Sequence, residues 1–324
     1  MRKMMNRTIG YRSDIGKTRE VDEDSIRVEE SRSVIKSKMR MVRLLVVADG
    51  MGGHQNGEKA SEIASKAIKD VWSQELDNGT AKHLILEHGI QKANQDILDY
   101  TTKHPEASGM GTTSVCAIVE GNDVVLANVG DSRAYKISDE IHQVTKDHSY
   151  VQGLVDNNEL SKSEAREHQR KNEITRAIGE KSSLEVDTMK LTLDSDESLL
   201  LCCDGVNDHL SDDKIQKIVR DSPDPDTACK KIVDMANEEG GFDNISLIIL
   251  SAEKSGKQVE SKSKLDDIPE FFRQFEEKGL GTNGTMVNGK DITGQGKVEL
   301  ENGVNKISVN GVEAEVTIQR NSDG

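Results

Sequence analysis

Three aspartates of this chain stand at the ends of apolar runs that have the length of buried strands. They are Asp49 after 42–48, Asp204 after 199–203 and Asp243 before 245–250. A fold that brings these run ends together gathers the carboxylates in one pocket, where they repel one another unless a cation neutralises them. Oxygen ligands without a Cys/His set select Mg²⁺ or Mn²⁺ over Zn²⁺, so the sequence predicts a site for hard divalent cations.

The periodicity of the apolar residues predicts helices grouped around strands. Apolar residues recur at i, i+3, i+4 and i+7 spacing over 57–76, which predicts a helix with one buried face. A second helix is predicted over roughly 81–102. Two later helices are expected to begin at Ser211 and at Asp224-Pro225, because these residues suit helix caps.

Short connections join the predicted strands 113–119, 124–129 and 134–137, and connections of this length favour antiparallel pairing. Pairs of helices therefore alternate along the chain with mostly antiparallel strands. This order predicts sheets that pack against each other and carry helices on their outer faces.

Charge and cysteine content narrow the class of protein. The formal net charge of -15 repels nucleic acid and anionic membranes at long range, so neither is expected as the main partner. The four cysteines show no zinc-type spacing and indicate a protein kept reduced in the cytoplasm. No apolar run reaches the length of a membrane span, so a soluble cytoplasmic protein is predicted.

Composition changes after Ala252 and predicts three parts of the chain. Residues 1–252 are expected to form one domain, and the polar, lysine-rich 253–267 a linker. The appendage 268–324 is predicted to hold a short helix over 268–278 and then a small β-meander over 297–319, because Asn-Gly pairs recur among its alternating apolar residues. Its role is open, and a partly ordered tail is the alternative reading.

Seven short motifs occur in a fixed order along the first part of the chain. They are RxxxED from Arg19, DGMGGH from Asp49, GTT from Gly111, GDSRAY from Gly130, a loop with DHS from Asp147, DG at Asp204 and DN at Asp243. In this order the chain resembles the metal-dependent protein serine/threonine phosphatases of the PPM (PP2C-like) family, bacterial type, over about residues 8–252. The resemblance implies an α+β fold, a four-layer α/β/β/α sandwich with a dinuclear metal centre at one end of its sheets.

The resemblance also implies a role for each matching metal ligand. Asp49 would bridge two Mn²⁺ or Mg²⁺ ions, and Gly50 would offer its backbone carbonyl. Asp204 and Asp243 would complete the shell of the first ion. Asp131 would help Asp204 to hold a third ion.

The first motif supplies the remaining site residues. Glu23 and Asp24 match the acidic pair that holds metal-bound waters, and Arg19 matches the arginine that binds phosphate with a two-pronged guanidinium. The family's usual asparagine in this motif is Asp22 here, and the histidine of its eukaryotic branch is Met51. An added negative charge at Asp22 is expected to affect the rate rather than the type of reaction.

The segment 147–179 resembles the flap that borders the active site in bacterial members. Its basic residues Arg166, Arg170 and Arg176 are candidates for contact with the substrate around the phosphorylated residue. For any one of them, a solvated helix face is the simpler interpretation.

The predicted function is hydrolysis of phosphoserine and phosphothreonine in proteins by water that a metal activates. No cysteine stands in a Cys-x5-Arg arrangement, so a thiolate nucleophile has no support. The expected partners are phosphorylated proteins, among them a serine/threonine kinase, in a signalling role. Two alternatives stay open: a weakly active or silent scaffold that binds phosphoproteins, and a regulatory module whose appendage docks a protein partner.

Overall fold

The computed structural model describes residues 7–35, 38–52 and 55–252, and farther along the chain four strands within 285–318. The chain divides into two compact units, residues 1–254 and residues 255–324.

Two antiparallel sheets form the centre of the larger unit. In spatial order the first sheet contains β2 (Asp24–Ile35), β3 (Lys38–Met51), β5 (Ser114–Glu120), β6 (Asp123–Val129) and β9 (Asp187–Thr192), with β4 (Gly111–Thr112) paired to the end of β3. The second contains β1 (Arg7–Asp14), β11 (Ile245–Ala252), β10 (Ser198–Cys202), β7 (Arg133–Ile137) and β8 (Ile141–Gln143).

Helices flank the two sheets. They are α1 (Gln55–Glu75), α2 (Lys82–Lys103), α3 (Tyr150–Asp156), α4 (Lys162–Glu167), α5 (Asp204–Asn207), α6 (Asp212–Asp221) and α7 (Pro225–Glu238), with a 3-10 turn at Pro105–Ala107. Helices α1 and α2 lie beside the first sheet, and α6 and α7 lie beside the second. The predicted caps are present, since Ser211 accepts a hydrogen bond from the Lys214 amide and Asp224 accepts one from the Thr227 amide.

The alternation of side chains along each central strand explains the layers. On β3, Leu44 and Val46 pack against α1 and α2, whereas Leu45 and Val47 face the second sheet. The same alternation on β10 places Leu200 and Cys202 against α6 and α7, and Leu199, Leu201 and Cys203 between the sheets. Strands buried on both faces therefore read as continuous apolar runs.

Three apolar cores result: one on each outer side of the sheets, under the helices, and one between the sheets. The order helix, sheet, sheet, helix is the predicted four-layer α/β/β/α sandwich, which is confirmed.

In the smaller unit, β12 (Thr285–Val287), β13 (Lys290–Asp291), β14 (Gly303–Val309) and β15 (Val312–Ile318) pair in the order β13-β12-β14-β15. Strands β14 and β15 are antiparallel and fall within the predicted meander 297–319. The predicted helix at 268–278 lies outside the described residues.

Candidate metal centre

Asp24 and Asp49 meet where the first sheet ends. Asp24 begins β2, Asp49 lies near the end of β3, and the antiparallel register makes them direct partners across the two strands. A carboxylate oxygen of each, together with Cys203 Sγ, forms a group whose atoms all lie within 4.8 Å of one another. The first sheet thus delivers two carboxylates to one end of the sandwich.

The second sheet delivers two more carboxylates to the same end. Asp204 follows β10 and begins α5, while Asp243 stands two residues before β11. These strands are neighbours, and the Cys203 amide extends their pairing by donating to the Ser246 carbonyl over 3.0 Å. Asp49 interacts electrostatically with Asp204 and Asp243, so the three aspartates predicted from the apolar runs share one site.

Asp131 joins this cluster from the turn between β6 and β7. Its carboxylate interacts electrostatically with those of Asp204 and Asp49. Gly130 precedes it at φ +103, and a Cβ there would lie 2.5 Å from the Thr113 side chain, so only glycine fits this turn.

Burial and crowding make these carboxyl groups weaker acids. Burial raises the pKa of Asp24 to about 8 and that of Asp204 to about 7, and neighbouring carboxylates add to both effects. Burial, with Asp204, Asp24 and Asp131 nearby, raises the pKa of Asp49 well above its usual value. The pKa of Asp131 rises for the same reasons.

Arg19 contacts this acidic group directly. Its guanidinium makes an ion pair of 2.9 Å with Asp243 and one of 3.6 Å with Glu23. The Arg19 side chain stays 45% exposed, so its outer face is open to an incoming anion. Glu23 itself is buried beneath it.

Asn244 positions Glu23 and was not among the predicted site residues. Its Oδ1 accepts the Glu23 amide over 2.9 Å, and its Nδ2 donates to the carbonyls of Ile15 and Val21 over 3.0 and 3.1 Å. One buried amide therefore ties the loop between β1 and β2 to the start of β11. The late Asp-Asn pair of the sequence was the signal that marked this position.

Two threonines hold Asp49 and were also missed as site residues. The Thr112 hydroxyl and the Thr113 amide each donate to the Asp49 carbonyl over 2.8 Å. The Thr113 hydroxyl accepts the Asp49 amide over 3.2 Å and lies 2.7 Å from the Ser132 hydroxyl. The Gly-Thr-Thr motif marked them in the sequence, but their partner was not apparent.

Close backbone packing explains the glycine at position 50. A Cβ on Gly50 would lie 2.0 Å from the Gly57 carbonyl oxygen and 2.5 Å from the Glu23 carbonyl oxygen. The Gly50 amide donates to the same Glu23 carbonyl over 3.1 Å. The absence of a side chain at Gly50 thus lets the end of β3 pack closely against both the first motif and the start of α1.

Asp22 has a local structural role in the loop. One of its oxygens accepts the Asp24 amide over 3.1 Å, and the other accepts the Ser13 hydroxyl over 2.5 Å. Its charge contributes to the raised pKa of Asp24. The extra negative charge therefore acts on Asp24 rather than through a contact with Arg19.

The flap, defined as residues 147–179, borders a cavity of about 370 Å³. Asp131 and Asp204 line one side of this cavity, and the flap residues Arg166 and Lys171 line another. Ion pairs bind the flap to the body of the domain, from Lys171 to Asp208 over 2.6 Å and from Arg166 to Asp212 over 3.2 Å.

The structure does not bring the other two predicted flap arginines to this cavity. Arg170 pairs with Glu173 and lies 3.5 Å above the Tyr150 ring. Arg176 pairs with Asp187 over 2.7 Å and with Glu185 over 3.0 Å. Both guanidiniums stabilise the flap and its base.

The carboxylate cluster fits hard divalent cations. Both oxygens of Asp24 are inaccessible to solvent and accept no hydrogen bond of regular geometry, although Ser246 and Cys203 lie near them. Burial and mutual repulsion disfavour the ionised carboxylates of Asp49 and Asp204, and a bound cation would offset both effects. Oxygen donors at this density are the ligands that Mg²⁺ and Mn²⁺ prefer.

A cysteine nucleophile is excluded by burial. All four thiols are buried, and burial raises the pKa of Cys116, Cys202 and Cys229 to about 12 each. Cys203 has its pKa raised well above the usual value by burial and by Asp24, Asp49 and Asp204. These thiols stay protonated near neutral pH and do not attack phosphate.

Comparison with known proteins agrees with this site. A family model described as protein phosphatase 2C matches residues 22–245. The serine/threonine phosphatase stp of Listeria innocua is 36% identical over 243 residues, which cover 74% of this chain and 94% of that protein. The structure of the serine/threonine phosphatase PstP/Ppp of Mycobacterium tuberculosis has a TM-score of 0.67 at 31% identity, covering 76% of this chain and 99% of that chain.

A second solved structure carries the metal. It is a catalytic domain of the phosphatase PstP in complex with two manganese ions, with a TM-score of 0.64 at 30% identity, covering 76% of this chain and 97% of that chain.

The sandwich and its carboxylate cluster define a metal-dependent protein serine/threonine phosphatase, with Mn²⁺ or Mg²⁺ as cofactor. The chain belongs to the protein phosphatase 2C family. The predicted family, reaction and cofactor are thereby confirmed.

Proposed function

We propose that Asp49, Asp204, Asp243 and the Gly50 carbonyl hold two Mn²⁺ or Mg²⁺ ions and that this centre hydrolyses phosphoserine and phosphothreonine. The observation that carries the proposal is the position of Asp49, which interacts at once with aspartates from both sheets and from the turn before β7. Asp24 and Glu23 would act from the outer shell. Asp131, beside Asp204, would help to hold a third ion.

When bound, such ions would lower the pKa of water so that hydroxide is available near neutral pH to attack phosphorus, and they would neutralise charge on the phosphoryl oxygens. The protein's own contribution is rigid placement. Thr112 and Thr113 fix the backbone of Asp49, and Asn244 fixes that of Glu23. Donors held in this way keep the carboxylates at productive distances without reorganisation during the reaction.

Arg19 would bind the phosphoryl group of the substrate. Its charge persists at every working pH, and the ion pairs to Asp243 and Glu23 hold one side of the guanidinium. The exposed side can donate to two phosphate oxygens at once.

His209 does not offer a general acid. Its Nδ1 lies 2.7 Å from the Gly205 carbonyl, and its Nε2 accepts the Phe242 amide over 2.9 Å. Both nitrogens are thus engaged with backbone, one next to Asp204 and the other next to Asp243, and His209 positions the loop before β11. Protonation of the leaving serine or threonine oxygen falls to solvent in the site.

We assign substrate contact around the phosphorylated residue to the cavity between the flap and α6. Arg166 and Lys171 line it and form ion pairs with Asp212 and Asp208, which line it as well. Arg170 and Arg176 are assigned to support of the flap.

The test compares Asp49→Asn and Asp204→Asn with the control Asp226→Asn, whose aspartate is exposed and pairs with Arg12. Each site variant is expected to lose Mn²⁺-dependent hydrolysis of a phosphothreonine peptide by on the order of 100-fold or more, because it removes a direct ligand. The control is expected to keep full activity. Unchanged turnover in either site variant would refute the assignment.

The remaining proposals concern the setting of the enzyme. We infer a phosphatase domain over residues 1–252, a linker over 253–267 and an appendage over 268–324 that docks a protein partner. A serine/threonine kinase in the cytoplasm is the expected class of partner. No helix in the part of the chain that the structure describes is long and apolar enough to cross a membrane.

A chain shortened to residues 1–254 tests the docking role. Equal hydrolysis of a generic phosphopeptide by the shortened and full chains, with slower hydrolysis of a phosphorylated protein partner by the shortened chain, supports docking. Equal rates on both substrates overturn it.

A further inference from the structure

The thiol of Cys203 lies beside the carboxylates of the metal centre. Side chains alternate along β10 and its continuation, so Cys202 packs toward α6 and α7 whereas Cys203 packs between the sheets. This direction brings Cys203 Sγ within 4.8 Å of carboxylate oxygens of both Asp24 and Asp49. Two oxygens and one sulfur thus converge on one small volume.

Asp24 supplies an independent sign that this volume suits a cation. Neither of its carboxylate oxygens is accessible to solvent, and neither accepts a hydrogen bond of regular geometry. Buried carboxylate oxygens without regular donors are costly unless a cation or proton compensates them. The Asp24 carboxylate, with Ser246 and Cys203 as its nearby polar groups, belongs to the same three-residue group as the thiol.

The surroundings of the sulfur suit a metal thiolate. The Ser246 amide donates to Cys203 Sγ over 3.1 Å, and the thiol donates its own proton to the Asn244 carbonyl over 3.3 Å. The hydrogen bond from the Ser246 amide remains when the thiol proton leaves, and it stabilises the negative charge on sulfur. Neighbouring Cys202 has only a weak contact of 3.9 Å, with Asn207 Oδ1.

We propose that Asp24, Asp49 and Cys203 form a site for a thiophilic divalent cation such as Cd²⁺ or Zn²⁺, and that an ion held there inhibits the phosphatase. Thiolate ligands select soft and borderline cations over Mg²⁺ and Mn²⁺. Since Asp49 would serve both sites, the two classes of cation compete. The inhibitory effect rests on the proposed role of Asp49 in the catalytic metal centre.

The binding step is a ligand exchange without redox chemistry. The S–H bond of Cys203 breaks, a sulfur–metal bond forms, and the proton passes to solvent. Any proton on Asp24 or Asp49 leaves in the same way. No oxidant or further reactant is needed.

The test titrates the full-length, metal-free protein with Cd²⁺ and records the ultraviolet charge-transfer band of a Cd²⁺–thiolate bond. The band is expected for the wild type and for Cys202→Ser, the matched control on the opposite face of the same strand. It is expected to vanish in Cys203→Ser. This readout is independent of phosphatase activity.

Inhibition provides the second measurement. At fixed Mn²⁺, with each variant normalised to its own uninhibited rate, Cys203→Ser is expected to need on the order of 10-fold more Cd²⁺ for half-inhibition than Cys202→Ser. Should the Cys203 variant fail to fold, Asp24→Asn keeps the thiol and is expected to weaken Cd²⁺ binding by on the order of 10-fold while the band persists at saturation.

Two results would overturn the proposal: a wild type without the band despite normal Mn²⁺-dependent hydrolysis, or an equal band in Cys203→Ser. A protein that shows the band while Asp49→Asn keeps full turnover would instead refute the proposed catalytic centre and leave the thiophilic site standing.

Discussion

Asn244 shows how a single amide can set the geometry of several carboxylates. We expect Asn244→Ala to raise the Mn²⁺ concentration needed for half-maximal hydrolysis by about 10- to 100-fold, because Glu23 loses its backbone anchor. The variant is also expected to lose about 1–3 kcal/mol of stability, since the carbonyls of Ile15 and Val21 lose their donor. Metal titration and thermal unfolding measure the two effects.

Asn94→Ala is the matched control for this variant. Asn94 is equally buried and also bridges two backbone segments, through the Lys181 carbonyl and the Gly179 amide over 2.8 and 2.7 Å. Its loss is expected to lower the melting temperature to a similar extent and to leave the Mn²⁺ requirement unchanged. An equal rise in the Mn²⁺ requirement of both variants would contradict a specific role for Asn244.

Single residues of the site differ in how far the sequence predicts them. Asp49, Asp204 and Asp243 were predictable because each adjoins an apolar run, and strand ends gather at a sheet edge. Asn244 and Thr113 were not, because their roles consist of hydrogen bonds to backbone that is distant in sequence. Periodicity carries no information about such partners.

At the scale of elements, the flap is tied to the domain by ion pairs at its outer end. We expect Lys171→Met to speed amide hydrogen exchange in α4 and to raise KM for a phosphopeptide by less than about 5-fold, because a half-exposed ion pair contributes little. Hydrogen exchange with mass spectrometry and steady-state kinetics provide the measurements.

Arg170→Met controls for loss of positive charge on the flap. Arg170 pairs with Glu173 and Tyr150 within the flap itself. The Arg170→Met variant is expected to alter amide hydrogen exchange only near Arg170 in the flap and to leave KM unchanged. A larger KM effect from Arg170 than from Lys171 would show that the cavity does not receive the substrate.

The base of the flap contains a histidine held in its neutral form. His148 Nδ1 accepts the Gly130 amide over 3.0 Å, so a proton on Nδ1 would face another donor. Burial lowers the pKa of His148 below its ordinary value of 6.5. As pH falls, His148 is therefore protonated in the unfolded chain at a higher pH than in the folded protein. The folded protein loses stability as pH falls below about 6.5.

We expect His148→Gln to remove this acid-induced loss. The difference in unfolding free energy between pH 7 and pH 5, measured with denaturant, should change relative to the wild type by the contribution of one histidine. His88→Gln, at an exposed position paired with Glu75, should behave as the wild type does. If the two variants show the same pH dependence, the buried His148 does not contribute.

Elements also differ in how well the sequence predicts them. Helices α1 and α2 and strands β3, β5, β6, β10 and β11 match the predicted positions, since their apolar spacing is regular. Strands β1, β2 and β9 were missed because they lie toward the sheet edges and carry many polar residues. Their pairing depends on neighbours that periodicity does not identify.

At the scale of the whole molecule, the sandwich concentrates negative charge where its two sheets end. Folding moves Asp24, Asp49 and Asp204 from water into one crowded site, and their pKa values rise above the ordinary value of 3.8, to about 8 for Asp24 and about 7 for Asp204. A carboxyl group whose pKa is raised by folding stabilises the protein below its unfolded pKa and loses that contribution as pH rises. The metal-free protein should therefore lose stability between about pH 4 and pH 8.

This charge concentration predicts opposite effects of one substitution on stability and on metal binding. In the presence of a chelator at pH 7.5, Asp49→Asn should unfold at a higher temperature than the wild type, because it removes a carboxyl group whose ionisation is opposed by burial and by four neighbouring aspartates. A gain of about 1 kcal/mol corresponds to roughly 2–4 °C for a domain of this size.

Added Mn²⁺ should then raise the melting temperature of the wild type far more than that of the variant, since a ligand stabilises only the form that binds it. Differential scanning calorimetry with and without Mn²⁺ measures both effects, and Asp226→Asn should respond to Mn²⁺ as the wild type does. If metal-free Asp49→Asn is less stable than the wild type, Asp49 stabilises the fold without a metal. Repulsion among the carboxylates then does not destabilise the metal-free protein.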